Sequence, residues 1–510
     1  MATINPFVNL RAATLAKPGV SCAQDGASLL PYIEGRKCNW FPNTGGWLLG
    51  GFVFMRSRKI RARSRKRCGS AIGDTLPLPP GKPGNAFLDL LKYVKDPDGY
   101  IAQLAEEHGP IFQTNLFGRK TVIVGGAEGV IEFTEAEKKI TTSALPDTFS
   151  QLHTKYGTMN QAGDEHKSTR GSLIQSALCE EAIQVFLPTI ERCCREFLDS
   201  VESRGQFCPA SELKDWSVTL FAELFTGMPF DAKMQKLLYT YNEGLYGLVP
   251  FKLPFTAFGR GFNAKDKLVD ILKERVEDLK KNGKLEDAQY AVLRRFVESK
   301  DEQGEPWTTE RVAHSAVIMV WGAYIELASL LANAVYLTAS YPDVRDKAFK
   351  EASTVKGQSL SDLRNLTYLQ AILDETLRVK PPAGGGFRLA EEELVIGGYR
   401  IPKGFVVSAD PRISNMDPSL HTEPESFNPD RFAKTPAQSL PKGTWFPGGI
   451  GLHGCPGIPL AMTIAKVFMA GWVQRFQTWG PVSGKEGKEG WVNIPIRIIG
   501  DKYEMSVTKR

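Results

Sequence analysis

The chain has 510 residues, of which 42% are hydrophobic and 24% are charged, a composition typical of a folded globular protein. Its net charge of +6 is unevenly distributed: residues 1–69 hold twelve Lys or Arg and two acids, Asp25 and Glu34, so they carry +10 and the remainder carries −4. The net positive charge comes from this N-terminal segment, so it does not indicate that the rest of the chain binds nucleic acid. The eight cysteines show no CxxC spacing, and we expect reduced thiols.

Residues 1–75 are predicted to be a leader. They are poor in acids and contain the basic run Arg56–Arg67, as in organelle transit peptides, and we expect a plastid rather than a mitochondrion. The apolar stretch 47–55 before this run is about half the roughly 20 residues that a membrane-spanning helix needs. The alternatives are a membrane-surface anchor with a basic collar, for instance at the endoplasmic reticulum, and a disordered tail.

A segment rich in proline and glycine, residues 76–84, separates the leader from a body at 76–510. Apolar periodicity predicts a largely helical region over 165–350, with a long core helix over 309–340 that contains Glu326 and is therefore unlike a membrane span. Further elements are expected in short segments: a helix over 98–108, strands over 111–116, 121–124, 393–399 and 405–409, and a helix over 458–476. The sequence predicts one large, mainly α domain with small β-sheets.

A glycine-rich loop, Phe446–Gly457, contains Cys455 and leads directly into the last predicted helix. A thiolate at a helix start is favoured by the helix dipole and by free N–H groups. Glycines also let the backbone approach a flat ligand closely. This pattern predicts a metal-binding thiolate at Cys455. The alternative is a glycine-rich turn that contains a cysteine without a function.

A second motif lies before the loop, where Glu375 and Arg378 stand three residues apart and share one helix face. Such a pair is usually a solvated surface ion pair of little value. Here Arg431 follows in a proline-ordered segment, Asn428–Phe432. We therefore expect Arg431 to close a buried Arg–Glu–Arg cluster with a structural role.

Together these residues resemble the cytochrome P450 superfamily over about residues 76–510. Glu375 and Arg378 match its ExxR pair, and Arg431 matches the arginine of its PxRF motif. Cys455 matches the axial ligand of heme b, and Gly451, His453 and Gly457 match the loop around it. The resemblance implies the P450 fold and a heme-thiolate enzyme. Because there is no CxxCH motif, the heme would not be attached covalently.

The same resemblance implies partners for the two heme propionates. His166 and Arg170 lie in a segment similar to the family helix that reaches these groups, and Arg388 and His453 occupy similar places. Buried carboxylates need cationic or hydrogen-bonding partners. The stretch PPAGGGFR, which contains Arg388, most resembles the branch that oxidises retinoid-like and other isoprenoid molecules.

Two positions depart from the family pattern. Gly448 stands where an aromatic is expected, with Phe446 two residues earlier, so either the loop is longer or Phe446 packs on the heme from a new angle. In the long helix, the acid–threonine pair that relays protons to bound dioxygen is missing, and Ile325 and Glu326 take its place. Glu326 is either a substitute proton donor with a raised pKa or a structural residue of the core.

These departures leave three functional hypotheses. The first is a monooxygenase that acts on a lipophilic isoprenoid or fatty-acyl small molecule, with electrons from a ferredoxin or flavoprotein reductase and a possible membrane-surface association. The second is a partner-free isomerase or lyase of fatty-acid hydroperoxides, similar to allene oxide synthase, which needs no proton relay. The third is a heme-binding scaffold without catalysis. The sequence favours the monooxygenase, because most of the body resembles that line and Glu326 offers a donor.

Overall fold

The computed structural model describes residues 76–510 apart from 138–139, 145, 248–249, 356–358, 485 and 494–495. The leader 1–75, including its basic run, lies outside the described residues, so its predicted plastid targeting stays a prediction. The described residues fall within one compact unit.

Helices make up most of the described chain, as expected for a mainly α protein. In chain order the α-helices are α1 (Ala86–Lys95), α2 (Pro97–His108), α3 (Ala127–Ala136), α4 (Asp147–His153), α5 (Gly163–Leu173), α6 (Glu180–Arg204), α7 (Pro209–Thr226), α8 (Ala232–Leu245), α9 (Ala257–Lys281), α10 (Ala291–Glu298), α11 (Thr309–Ala339), α12 (Pro342–Ala352), α13 (Leu360–Arg364), α14 (Thr367–Val379), α15 (Pro411–Asn415), α16 (Asp430–Lys434) and α17 (Ile458–Arg475). A π-helical turn follows α5 at Ile174–Leu178, and a 3₁₀ turn lies at Gly451–His453.

The strands are short and form three small sheets. They are β1 (Ile111–Leu116), β2 (Arg119–Val124), β3 (Ile140–Ser143), β4 (Gln206–Phe207), β5 (Arg388–Ala390), β6 (Leu394–Ile396), β7 (Tyr399–Ile401), β8 (Val406–Ala409), β9 (Phe476–Pro481) and β10 (Met505–Lys509). The largest sheet has the order β1-β2-β8-β5-β3, in which only β2 and β8 run parallel. The others are β4-β10-β9 and the hairpin β6-β7.

Helix α11 is the centre of the core. Thr308 caps its start by accepting the Arg311 N–H at 3.2 Å, and it ends at Ala339, shortly before Pro342 opens α12. Its length and apolar composition would allow it to cross a membrane, but 72% of its most apolar window is buried inside the protein. It is therefore a core helix, packed against α7, α9, α14 and α17.

The expected elements agree with the structure at most places, with one correction. The strand predicted over 393–399 is a hairpin: β6 and β7 pair across Gly397 and Gly398, whose φ angles are +59° and +75°. Two consecutive residues with positive φ are the requirement of a tight hairpin turn, and glycine meets it without strain. The final helix also ends one residue early, because Phe476 already belongs to β9.

Glycines in the segment before β5 allow backbone to approach backbone. A Cβ added at Gly385 would lie 1.8 Å from the carbonyl oxygen of Ala409 in β8, so no side chain fits there. Part of the PPAGGGFR pattern therefore reflects the close packing of this segment on β8, which places Arg388 at the start of β5.

Candidate active site

The loop around Cys455 is held by short-range backbone hydrogen bonds. The Gly449 N–H donates to Phe446 O at 2.9 Å, and the Cys455 N–H donates to Gly448 O at 2.7 Å. Gly449 and Gly451 both have a φ of +78°. Because L side chains rarely adopt this conformation, glycine at these two positions lets the chain fold back before α17 begins.

The departure at Gly448 has a steric reason. A Cβ at this position would lie 2.7 Å from Cγ1 of Ile458 and 3.1 Å from Cβ of Cys455, which leaves no room for an aromatic ring. Phe446, the aromatic predicted to contact the cofactor, is 4% exposed and belongs to a hydrophobic cluster with residues of the large sheet, among them Val122 and Val407. It therefore anchors the loop to the sheet.

The Cys455 side chain lies in a recess. The residue is accessible to water, yet the protein atoms around its thiol raise the pKa of that thiol. The backbone N–H groups of Gly457 and Ile458 donate to the thiol and lower its pKa, as does the positive charge of Arg170. These donors favour the thiolate, the form of cysteine that binds metals.

A cationic cluster of two arginines and two histidines shares this part of the molecule, and its positive charge comes from Arg170 and Arg388 because the histidines are neutral at neutral pH. The rings of His166 in α5 and His453 in the loop lie 4.3 Å apart between centroids, so two elements distant in sequence meet here. Burial lowers the pKa of His453 to about 3, helped by the charges of Arg388, His166 and Arg170. Burial, Arg170 and Arg388 likewise lower the pKa of His166. The structure thus brings together all four residues predicted to bind propionates.

This cluster fits a ligand with negative charge. Nε of Arg388 is buried and has no hydrogen-bond partner among the described residues, and burial lowers the pKa of this arginine. Within the same part of the chain, neither Arg170 nor Arg388 is in ion-pair contact with a carboxylate. Buried cations and unpaired donors are costly unless an anion compensates them. Two carboxylates of a prosthetic group would supply that compensation.

The Arg–Glu–Arg cluster lies in the protein interior. Glu375 and Arg378 are both fully buried and form a bidentate pair, with Nε to Oε2 and Nη2 to Oε1 at 2.8 Å each. Arg431 adds a bond from Nε to Glu375 Oε1 at 3.1 Å. The remaining donors of Arg378 reach backbone carbonyls of Asn415, Pro424 and Ser426. The cluster therefore joins α14 to the irregular segment that leads to the cysteine loop.

Glu326 lies on a face of α11 that opens into free space. Gly322, one turn earlier on the same face, is exposed although Trp321 and Tyr324 beside it are buried, and a Cβ added there would meet nothing within 4 Å. Oε2 of Glu326 is buried and has no hydrogen-bond partner among the described residues. Burial raises the pKa of this carboxyl to about 7, although its own backbone N–H lowers it. Its charge raises the pKa of Cys455, which places the two side chains within electrostatic range.

Aromatic side chains surround the neighbouring turn of α11. Trp321 has ring centroids of Phe149 and His153 at 5.6 and 5.0 Å, and its Nε1–H donates to Asn242 Oδ1 at 3.0 Å. Burial and the charge of Glu326 raise the pKa of Tyr246. The sequence analysis did not predict this group, because its members lie on α4, α8 and α11 and form no local motif.

The fold and these features define a class of protein, in which a cysteine thiolate binds heme. The family model described as Cytochrome P450 matches residues 78–492, and the chain belongs to this family. It is thus a heme-thiolate oxidoreductase that uses heme b, and the thiol, its N–H donors and the cationic cluster fit that group. The boundary between leader and body at residue 75 stays a prediction.

Curated relatives are similar over most of their length. The "Putative cytochrome P450 120" of Synechocystis sp. is 27% identical over 81% of this chain and 93% of its own. "Cytochrome P450 26A1" of Gallus gallus is 26% identical over 83% of this chain and 91% of its own. "Taxane 10-beta-hydroxylase" of Taxus cuspidata is 26% identical over 80% of this chain and 86% of its own. Among solved structures, retinoic acid-bound cyanobacterial CYP120A1 superposes with a TM-score of 0.77 at 25% identity and covers 86% of this chain and 100% of its own.

The Arg–Glu–Arg cluster leads to a stability prediction. The substitution Glu375→Gln keeps the shape of the side chain but leaves the buried charge of Arg378 and the partly exposed charge of Arg431 without their carboxylate, which should lower the free energy of unfolding by about 3–5 kcal/mol. Urea unfolding followed by circular dichroism measures this loss. The control is Glu180→Gln, which removes the pair with Arg364, whose partners are 64% and 63% exposed, and should cost less than about 1 kcal/mol. Equal losses would contradict the role assigned to the cluster.

Proposed function

We propose that the protein is a monooxygenase that inserts oxygen into a lipophilic small molecule of isoprenoid or fatty-acyl type. The observation that carries this proposal is the Glu326 carboxyl, which lies on the open face of α11, has one oxygen without a hydrogen-bond partner among the described residues, and has a pKa near neutrality. A group that can hold or release a proton at neutral pH is what reductive activation of dioxygen requires, and Glu326 supplies it where the usual acid–threonine pair is absent. Electrons would come from a ferredoxin or a flavoprotein reductase.

The residues around Cys455 would have different roles in binding the heme. Cys455 would hold the heme iron through its thiolate, and the N–H groups of Gly457 and Ile458 would limit the negative charge on its sulfur. His166, Arg170, Arg388 and His453 would bind the two propionates. When bound, the heme supplies the redox chemistry by which one oxygen atom reaches the substrate.

The substrate class rests on the apolar surroundings of α11 and on the relatives. The open face at Gly322 is next to Trp321, which packs with Phe149 and His153, so a ligand there would bury apolar surface. The relatives include proteins named as a taxane hydroxylase and a beta-amyrin oxidase, and a solved structure holds retinoic acid. All three names refer to extended or polycyclic isoprenoid skeletons.

The role of Cys455 is tested by the spectrum of the reduced protein with carbon monoxide. The wild type should show the long-wavelength absorption band typical of thiolate-bound heme. Cys455→Ala removes the sulfur, and this band should be lost even if some heme is retained. Cys179→Ala, which changes a cysteine of intermediate exposure before α6, is the control and should leave the band unchanged. A normal band in Cys455→Ala would refute the proposed ligand.

The role of Glu326 is tested by the dependence of turnover on pH. Because its pKa is about 7, the wild type should lose its proton donor, and hence its rate, as the pH rises through neutrality. The substitution Glu326→Gln cannot donate this proton, so turnover should fall roughly 100-fold or more and this part of the pH profile should disappear. Glu310→Gln, an exposed acid of the same helix, is the control.

Glu326→Gln should lower turnover, but it should raise the stability of the folded protein above neutral pH. The folded protein holds the Glu326 proton more tightly than an unfolded chain, whose carboxyl has a pKa of 4.5. The cost of burying the charge is therefore absent below about pH 4.5 and is fully present above about pH 7. We expect Glu326→Gln to melt at a higher temperature than the wild type at pH 8, with the difference shrinking towards pH 5. Unchanged turnover together with equal melting at both pH values would show that the residue has neither effect.

The reaction class is tested by supplying substrates with and without reductant. With a reductase and NADPH, a retinoid or other isoprenoid should stimulate oxygen uptake and give an oxygenated product. A polyunsaturated fatty-acid hydroperoxide without reductant should turn over slowly or not at all, because the proposed reaction draws its oxygen from dioxygen. Rapid reductant-free turnover of the hydroperoxide would replace the monooxygenase by the isomerase hypothesis.

A further inference from the structure

A buried carboxylate outside the recognised motifs contacts the cysteine loop. Glu137 directly follows α3 and is 3% exposed. Its Oε2 accepts the N–H of Leu452 at 2.6 Å, and its Oε1 is 3.4 Å from the N–H of His453. These two residues belong to the 3₁₀ turn Gly451–His453, which ends two residues before Cys455.

The loop is shaped to receive this carboxylate. A Cβ added at Gly451 would lie 2.2 Å from Oε2 of Glu137, so any larger residue at 451 would displace the acid or the turn. Gly451 also has a φ of +78°, which favours glycine independently. The glycine four residues before the cysteine thus makes room for the Glu137 side chain in addition to allowing the turn.

Apart from Glu137 and the ring contact between His453 and His166, the turn is held mainly by its own loop in the part of the chain that the structure describes. Its backbone bonds, from Gly454 N–H to Gly451 O and from Cys455 N–H to Gly448 O, lie within the loop itself. Glu137 is 315 residues away in sequence from Leu452, and it joins the loop to α3, which packs on the β-sheet side of the protein. A hydrogen bond to a charged acceptor is stronger than one between neutral groups, so this link limits the freedom of the segment next to Cys455.

Glu137 also acts on the cationic cluster. Its negative charge raises the pKa of Arg388, against the effect of burial, so the two groups are within electrostatic range. The same side chain therefore has two effects: it holds the turn that carries His453, and it offsets part of the positive charge of Arg388.

We infer that Glu137 is a positioning residue that holds the Leu452–His453 turn and thereby places the Cys455 sulfur and the His453 side chain for heme binding. This inference rests on the proposed role of Cys455 as axial ligand. The carboxylate acts through the loop backbone, by accepting the N–H groups of Leu452 and His453.

The test uses full-length protein reconstituted with heme and compares Glu137→Ala, Glu137→Gln and the control Glu135→Ala, an exposed acid of α3. The measured quantity is the fraction of bound heme that shows the thiolate band in the reduced carbon monoxide spectrum, corrected for folded protein. Loss of a charged acceptor for two N–H groups should raise the ratio of non-thiolate to thiolate heme about tenfold in Glu137→Ala. Glu137→Gln keeps one acceptor oxygen and should restore part of the thiolate fraction.

The heme reduction potential provides a second readout. Glu137→Gln removes a negative charge near the cluster, so the potential should rise relative to the wild type, whereas Glu135→Ala should leave it unchanged. If Glu137→Ala fails to fold, Glu137→Gln and Glu137→Asp carry the test through the same two measurements. A lower melting temperature with an unchanged thiolate fraction and unchanged potential would make Glu137 merely structural and overturn the inference.

The outcomes separate this inference from the proposed function. A wild type that binds heme without the thiolate band refutes the proposed role of Cys455, and the inference fails with it. A wild type with a normal band and Glu137 variants that match it refutes the inference alone.

Discussion

A thiol that must be ionised although the surrounding protein raises its pKa is the constraint on which the site depends. A thiolate buried without compensation is costly, because burial favours the neutral form. Backbone N–H groups offset part of this cost, because those of Gly457 and Ile458 donate to Cys455 at the start of α17 and lower its pKa. This arrangement requires a loop of one particular conformation, and the glycines, Phe446 in the sheet cluster and the Arg–Glu–Arg cluster all restrict the chain on the way to it.

Positive charge is concentrated around this loop, as expected for a site that binds an anionic ligand. His166, Arg170, Arg388 and His453 come from three elements; the two arginines carry the charge, and Nε of Arg388 has no hydrogen-bond partner among the described residues. Glu137 is the exception within this cationic region, since it offsets part of the charge while it binds backbone N–H groups of the turn. The region thus combines a surplus of positive charge with one acid whose hydrogen bonds go to the loop.

Helix α11 contributes an acid, Glu326, within electrostatic range of Cys455. Glu326 on α11 gains a pKa near neutrality from burial, and Gly322 keeps the same face of the helix open. A raised carboxyl pKa lowers stability at neutral pH, so the residue is more easily understood as a proton-holding group than as a contributor to the core. The aromatic residues beside it provide apolar surface against which a lipophilic molecule can bind.

Much of this protein could be predicted from its sequence, because the informative patterns are local. The spacing of Glu375 and Arg378, the glycines around Cys455 and the apolar length of α11 each depend on neighbouring residues alone, and together they predicted the fold class, the family and the set of residues that the structure brings together. Features that depend on long-range packing were not predicted from the sequence. The link from Glu137 to Leu452, the aromatic group around Trp321, the position of Phe446 in the sheet cluster and the pKa of Glu326 all depend on which distant segments meet. Hydrogen bonding and desolvation are set by three-dimensional neighbours, so only the tertiary structure could decide them.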